Sequence, residues 1–163
     1  MMEKRMKLAG KVAFVCALLY ALPHFWWGLG LPFAFPGDLQ AIPDNFWSQL
    51  IGLWGFGGLA ILAAIYALVF TSSWRSRLPK VVITIPAWIG SIILSIWGFS
   101  YFVLQFQFAI GRVQSTPQFA VQDASPMAQW GYFWYLLFLI WGLSLGVAAF
   151  YAQKLLNGRT HSC

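Results

Sequence analysis

The sequence predicts an all-α membrane protein, a four-transmembrane-helix bundle with both termini cytoplasmic. Three observations predict it. Only 9% of the 163 residues are charged and 60% are hydrophobic, whereas a soluble domain carries about a quarter charged residues. The apolar residues gather into four runs, each long enough to cross roughly 30 Å of hydrocarbon. Nine of the ten Lys and Arg residues flank those runs on one side, which the positive-inside rule assigns to the cytoplasm.

The first helix is expected over about 12–33, after a basic leader with Lys4, Arg5, Lys7 and Lys11. Basic residues before an apolar run resemble a signal peptide. Here no Ala-x-Ala site precedes Pro23 and the apolar character continues to Phe35, so the segment reads as a retained helix, kinked or ended near Pro23. A turn-rich loop, 35–45, follows with Pro36 and Pro43, and Asp44 or Asn45 is placed to cap the second helix, about 46–70. A short basic connection (Arg75, Arg77, Lys80) leads to the third helix, about 81–110. The longest polar stretch, with Pro117 and Pro126, separates it from the fourth, about 128–153, whose tail carries Lys154 and Arg159. The whole chain is one integral membrane domain, with no internal repeat of the inverted-transporter kind.

Arg112 is the one basic residue left on the outer side, where Asp38, Asp44 and Asp123 also fall; Asp38, Asp44 or a lipid phosphate are its expected partners. Trp26, Trp27, Trp47, Trp130, Tyr132 and Trp134 read as an outer aromatic belt, Trp74 and Tyr151 as an inner one. The net charge of +6 is therefore topological, and nucleic acid is not an expected partner. Small residues thin the helices: Gly52, Gly55, Gly57 and Gly58 in the second, Gly90, Ser91, Ser95 and Gly98 in the third, Gly142-x-x-x-Gly146 in the fourth. Such faces let membrane helices approach closely, within one bundle or across a homodimer.

Several chemistries lack their residues. Cys16 and Cys163 form no framework, there is no Cys-x-x-Cys for disulfide exchange, and no glycine-rich phosphate loop. The two histidines, His24 and His161, fall on opposite sides of the membrane, so no metal site or cofactor is expected. No acidic residue lies in a helix core to drive proton-coupled transport.

What remains is His24. At about 1.5 Å per residue it lies roughly 18 Å into the membrane from Val12, level with Trp54, Ser95, Tyr135 and Phe138. Cys16, Tyr20, His24 and Trp27 share one face of the first helix. Thr84, Ser91 and Ser95 form a polar stripe on the third, and the two stripes are expected to face each other. An ionisable residue inside a membrane is a functional candidate by default. The reading that follows is a non-enzymatic protein binding a small apolar or amphipathic molecule or lipid. Its site is an outward-facing, aromatic-lined cavity of a few hundred Å³. The candidate ligand-binding residues are His24, Trp27, Trp54, Ser95, Tyr101, Arg112, Trp134 and Tyr135. The plain structural reading is a neutral His24 hydrogen-bonded to a hydroxyl or a backbone carbonyl. Two further readings stand beside it: an accessory or homodimerising bundle acting through a membrane protein partner, and a lipid-modifying enzyme with His24 as base beside Ser95 or Tyr20.

The element His24-Phe-Trp-Trp27-Gly-Leu-Gly30, followed by Pro36, resembles a family of small bacterial four-helix membrane proteins without an assigned activity. Their first helix ends in His-x-x-Trp-Ala-Leu-Gly; Gly28 stands here for the alanine. The resemblance covers the first helix and its outer loop, and elsewhere only the hydropathy pattern. It implies four helices and a bacterial plasma membrane, and carries no activity. The tryptophan content alone does not make the chain similar to the tryptophan-rich sensory proteins, whose five helices and proline–tryptophan signatures are absent.

Overall fold

The structure, a computed structural model, describes residues 1–35, 45–113 and 126–160, the last with side chains over 130–158. Four helices long and apolar enough to cross a membrane follow one another: α1 (Met2–Trp27), α2 (Phe46–Phe70), α3 (Lys80–Ala109) and α4 (Pro126–Thr160). No strand occurs among the described residues. Asp38, Asp44, Asp123, Pro36, Pro43, Pro117, His161 and Cys163 lie outside them.

α1 starts ten residues earlier than its apolar run, because the leader itself is helical: Glu3 pairs with Lys7 one turn on (3.0 Å) and with Arg75 of the α2–α3 connection (3.6 Å). Glu3 and Lys7 are each about half exposed, so their pairing contributes at most about 1 kcal/mol. The helix also ends six residues before the expected limit. Gly28 continues the turn and donates to the His24 carbonyl, and Gly30 then takes a positive φ of 80°, the conformation glycine adopts most cheaply at a helix end. α2 is capped by Asn45, whose side chain accepts from the Ser48 amide at 2.9 Å. Its turn over Leu50–Gly55 is π-helical, within a stretch holding Gly52 and Gly55; such widened turns gather at functional sites.

The helices pack in the spatial order α2–α1–α4–α3. Extended interfaces join α3 to α4, α4 to α1 and α1 to α2, and none of comparable extent joins α2 to α3. Small residues make the crossings. Ala9, Ala13, Ala17 and Ala21 recur every fourth residue of α1 and are buried, as are Ala60, Ala64 and Ala67 of α2 and Ala148, Ala149 and Ala152 of α4. Between α3 and α4 the approach is backbone to backbone: a Cβ on Gly98 would sit 2.7 Å from the Leu139 nitrogen and 2.8 Å from the Tyr135 oxygen.

That crossing corrects one expectation. The stripe Thr84–Ser91–Ser95 does not face α1. A Cβ on Gly142 would lie 2.5 Å from Ser95 Oγ, and one on Gly146 would lie 2.6 Å from Ser91 Oγ, so the small hydroxyl side chains fill the space the α4 glycines leave. Outward, the helices present large apolar side chains: Leu59, Leu62, Ile93, Ile96 and Phe99 are each about 60% exposed or more. A belt of this kind suits hydrocarbon and not water.

Candidate functional site

The missing α2–α3 interface leaves a cavity of about 750 Å³. α1 and α4 form its floor through Tyr20, His24, Trp27, Trp134, Phe138 and Trp141, while α2 and α3 form its walls. The wall residues Phe56, Leu59, Leu62, Ile93 and Trp97 both line the cavity and are at least half exposed. The opening therefore lies between α2 and α3, along the sides of the helices. This differs from an outward-facing mouth, and the reason is the packing order: the gap belongs to the helix pair without an extended interface. One end of the cleft is held at Tyr66, whose hydroxyl donates to the Ile83 carbonyl across the two walls at 2.7 Å.

The other end is closed by the chain after α1. Trp26 and Trp27 donate their indole N–H groups to the Phe33 carbonyl at 3.0 and 2.8 Å, and Trp134 of α4 donates to the Ala34 carbonyl at 2.8 Å. Ala34 is buried with a positive φ of 61°, a conformation costing a residue with a Cβ roughly 1–2 kcal/mol. Phe35, next along, packs edge-on against Trp27 at 5.1 Å and joins the cavity lining. Trp27 and Trp134 are thus not belt residues: they are 3% and 4% exposed. A buried indole N–H needs an acceptor, and carbonyls outside the helices supply it.

His24 is 4% exposed and sits over Gly57 of α2, where a Cβ would come within 2.9 Å of the His24 Cβ. Its Nδ1 lies 2.8 Å from the Tyr20 carbonyl oxygen one turn back. A carbonyl only accepts, so Nδ1 carries the proton and Nε2 of the neutral ring is an acceptor. No described residue fills it. The ring lies between Tyr20 (4.4 Å between centroids) and Trp27 (4.8 Å). Tyr20 in turn contacts Phe138 at 4.8 Å and Trp141 at 6.2 Å. The plain structural reading, a neutral His24 bonded to a backbone carbonyl, is met at Nδ1; Nε2 has no partner among the described residues and is left to the cavity.

Of the eight residues expected at the site, the structure brings four to this cavity: His24, Trp27, Trp134 and Tyr135. Trp54 is not among them. It covers Gly28, where a Cβ would lie 2.6 Å from its indole, and meets Phe25 edge-on at 5.7 Å on the outer surface of the α1–α2 pair. Ser95 is half-buried, its Oγ enclosed against α4 without a hydrogen-bond partner, so it pairs neither with His24 nor with the cavity. Tyr101 stacks on Tyr135 with centroids 4.1 Å apart and planes 6° from parallel. It lines a separate recess of about 280 Å³ with Trp97 and Gln107; Tyr135 reaches both. Arg112 is exposed beyond the end of α3, and its expected partners Asp38 and Asp44 lie outside the described residues.

Tyr20, Phe35, Phe138 and Trp141 are cavity residues that the site assignment omits. Tyr20 was visible in the i, i+4, i+7 series with His24 and Trp27, and Phe138 at the height of His24. Trp141 lies a turn below Phe138 and carries a buried indole N–H without a partner. Among the described residues there is no cluster of three His, Cys, Asp or Glu side chains that could hold a metal ion. No family model, curated protein or solved structure matches the chain.

Proposed function

We propose that the protein binds a lipid-soluble small molecule or lipid, admitted sideways from the bilayer between α2 and α3, with His24 as the polar anchor of the site. One observation carries this reading: an unfilled acceptor, on a histidine 4% exposed, at the floor of an otherwise aromatic and aliphatic cavity. A cavity of about 750 Å³ falls within the roughly 300–1,000 Å³ of small-molecule sites. Its walls continue into the exposed apolar faces of α2 and α3, so an apolar molecule reaches it without crossing water.

The basic residues at the Met2 end of α1, in the α2–α3 connection and at the Thr160 end of α4 support cytoplasmic termini. The resemblance of the His24–Gly30 element to small bacterial four-helix proteins supports a bacterial plasma membrane. Homodimerisation through the glycine faces of α3 and α4 has less to rest on, since Gly98, Gly142 and Gly146 are filled from within the bundle, whereas Gly52 and Gly58 of α2 meet nothing within 4 Å. The test is the lipid complement of the protein purified in lipid nanodiscs, compared by mass spectrometry with an Ala63→Trp variant that fills the cleft. The wild type should retain a molecule that the variant loses. Identical complements in two folded proteins would refute the reading.

A further inference from the structure

We infer that the molecule held in the cleft is a neutral lipid ending in a hydroxyl group, which donates its hydrogen bond to Nε2 of His24. The inference rests on the lateral-cleft reading and adds the chemistry of the occupant. The first step is the fixed tautomer. With Nδ1–H committed to the Tyr20 carbonyl at 2.8 Å, Nε2 has only a lone pair to offer. A ketone or ester oxygen would set lone pair against lone pair. A hydroxyl would supply the missing donor, and its own oxygen could accept from the Tyr20 hydroxyl, which has no partner among the described residues.

The second step concerns charge. Among the described residues no Lys, Arg, Asp or Glu lines the cavity, so a phosphate or carboxylate at the level of His24 would lie unpaired in an apolar surrounding, at a cost of several kcal/mol. A phospholipid headgroup is therefore excluded from this floor. The third is shape. Tyr20, Trp27 and Trp134 stand tilted or edge-on to their neighbours around His24, leaving aromatic faces and edges against which a flat ring or an unsaturated chain packs. Phenolic lipids of the quinol type and isoprenoid alcohols share this chemistry.

The experiment uses the full-length protein in nanodiscs and four probes: decyl-quinol and its dimethyl ether, farnesol and its methyl ether. Occupancy is read by native mass spectrometry at equal mole fraction in the lipid. Methylation removes the donor and leaves a neutral, apolar molecule. An acceptor left facing an ether should weaken binding about tenfold or more. In His24→Phe the alcohol and ether of each pair should bind within about twofold of one another. The pair with the larger ratio in the wild type distinguishes the ring source from the isoprenoid one. Equal binding of alcohol and ether to the wild type would overturn the inference while leaving the cleft reading intact. Failure of all four probes to bind would also overturn it, and the cleft reading would then be judged on Ala63→Trp alone. The wild-type ratio decides the matter even if His24→Phe does not fold.

Discussion

Substituting Gly98 by alanine tests the backbone-to-backbone approach of α3 and α4. The added Cβ would stand 2.7 Å from the Leu139 nitrogen and 2.8 Å from the Tyr135 oxygen. Both are backbone atoms of a helix and cannot swing aside as a side-chain tip can. Ordinary contact begins at 3.4 Å, so α3 and α4 must separate by about 0.7 Å at this point, and overpacking of this kind costs about 1–3 kcal/mol. Alanine also favours the helix over glycine by about 1 kcal/mol, which masks part of the loss. Gly58→Ala supplies the reference, because a Cβ there meets nothing within 4 Å and only the propensity gain remains. The difference between the two variants should therefore be about 1–3 kcal/mol, with Gly98→Ala the less stable. Reversible unfolding in mixed detergent micelles measures it. A difference under about 0.5 kcal/mol would show that α3 and α4 do not cross at Gly98.

Trp134→Phe removes the N–H that holds the Ala34 carbonyl. Losing it should cost about 1 kcal/mol and raise amide hydrogen exchange over residues 28–35 about fivefold; unchanged exchange would show that the segment is held without it. Trp141→Phe removes an N–H that has no partner and keeps the ring, so stability should stay the same or rise by about 1 kcal/mol. A loss above that would mean the indole is hydrogen-bonded after all. For orientation, with Cys16 and Cys163 replaced, Arg112→Cys should react with an impermeant maleimide on intact spheroplasts and Ser73→Cys only after permeabilisation. The reverse pattern would invert the bundle.

The helices were legible because length and hydropathy determine them. Four apolar runs became four helices, and the Asn45 cap follows the preference of short polar side chains for that position. The misjudged ends have local causes. Glu3 and Lys7 extend α1 backwards through a pairing that hydropathy does not register. Gly30 stops it early, although Leu29 and Leu31 on either side are apolar. The alanine stripe of α1 could have been read directly from its spacing of four. Alanine is as able as glycine and serine to bring membrane helices together.

The site was half legible, and the division between its two halves is geometric. A rise per residue gives height, and by height His24, Trp54, Ser95 and Tyr135 are neighbours. Direction around the helix axis is a separate quantity, fixed by which helices are adjacent. On α2 the cavity residues Gly52, Phe56, Leu59 and Ala63 follow one helical face, and Trp54, two residues before Phe56, points elsewhere. On α3 the face of Pro86, Gly90, Ile93 and Trp97 turns to the cavity, while Ser91 and Ser95 follow the glycines of α4. A hydroxyl stripe therefore marks a close crossing as readily as a wet surface, because serine is small as well as polar. α1 offers the one histidine of the described cavity lining. Ser95 is covered by a neighbouring helix, but His24 keeps Nε2 turned to open space after its other nitrogen has found a carbonyl. An acceptor left unmatched in this way lowers stability unless something else fills it, so the cleft and the histidine are best explained together.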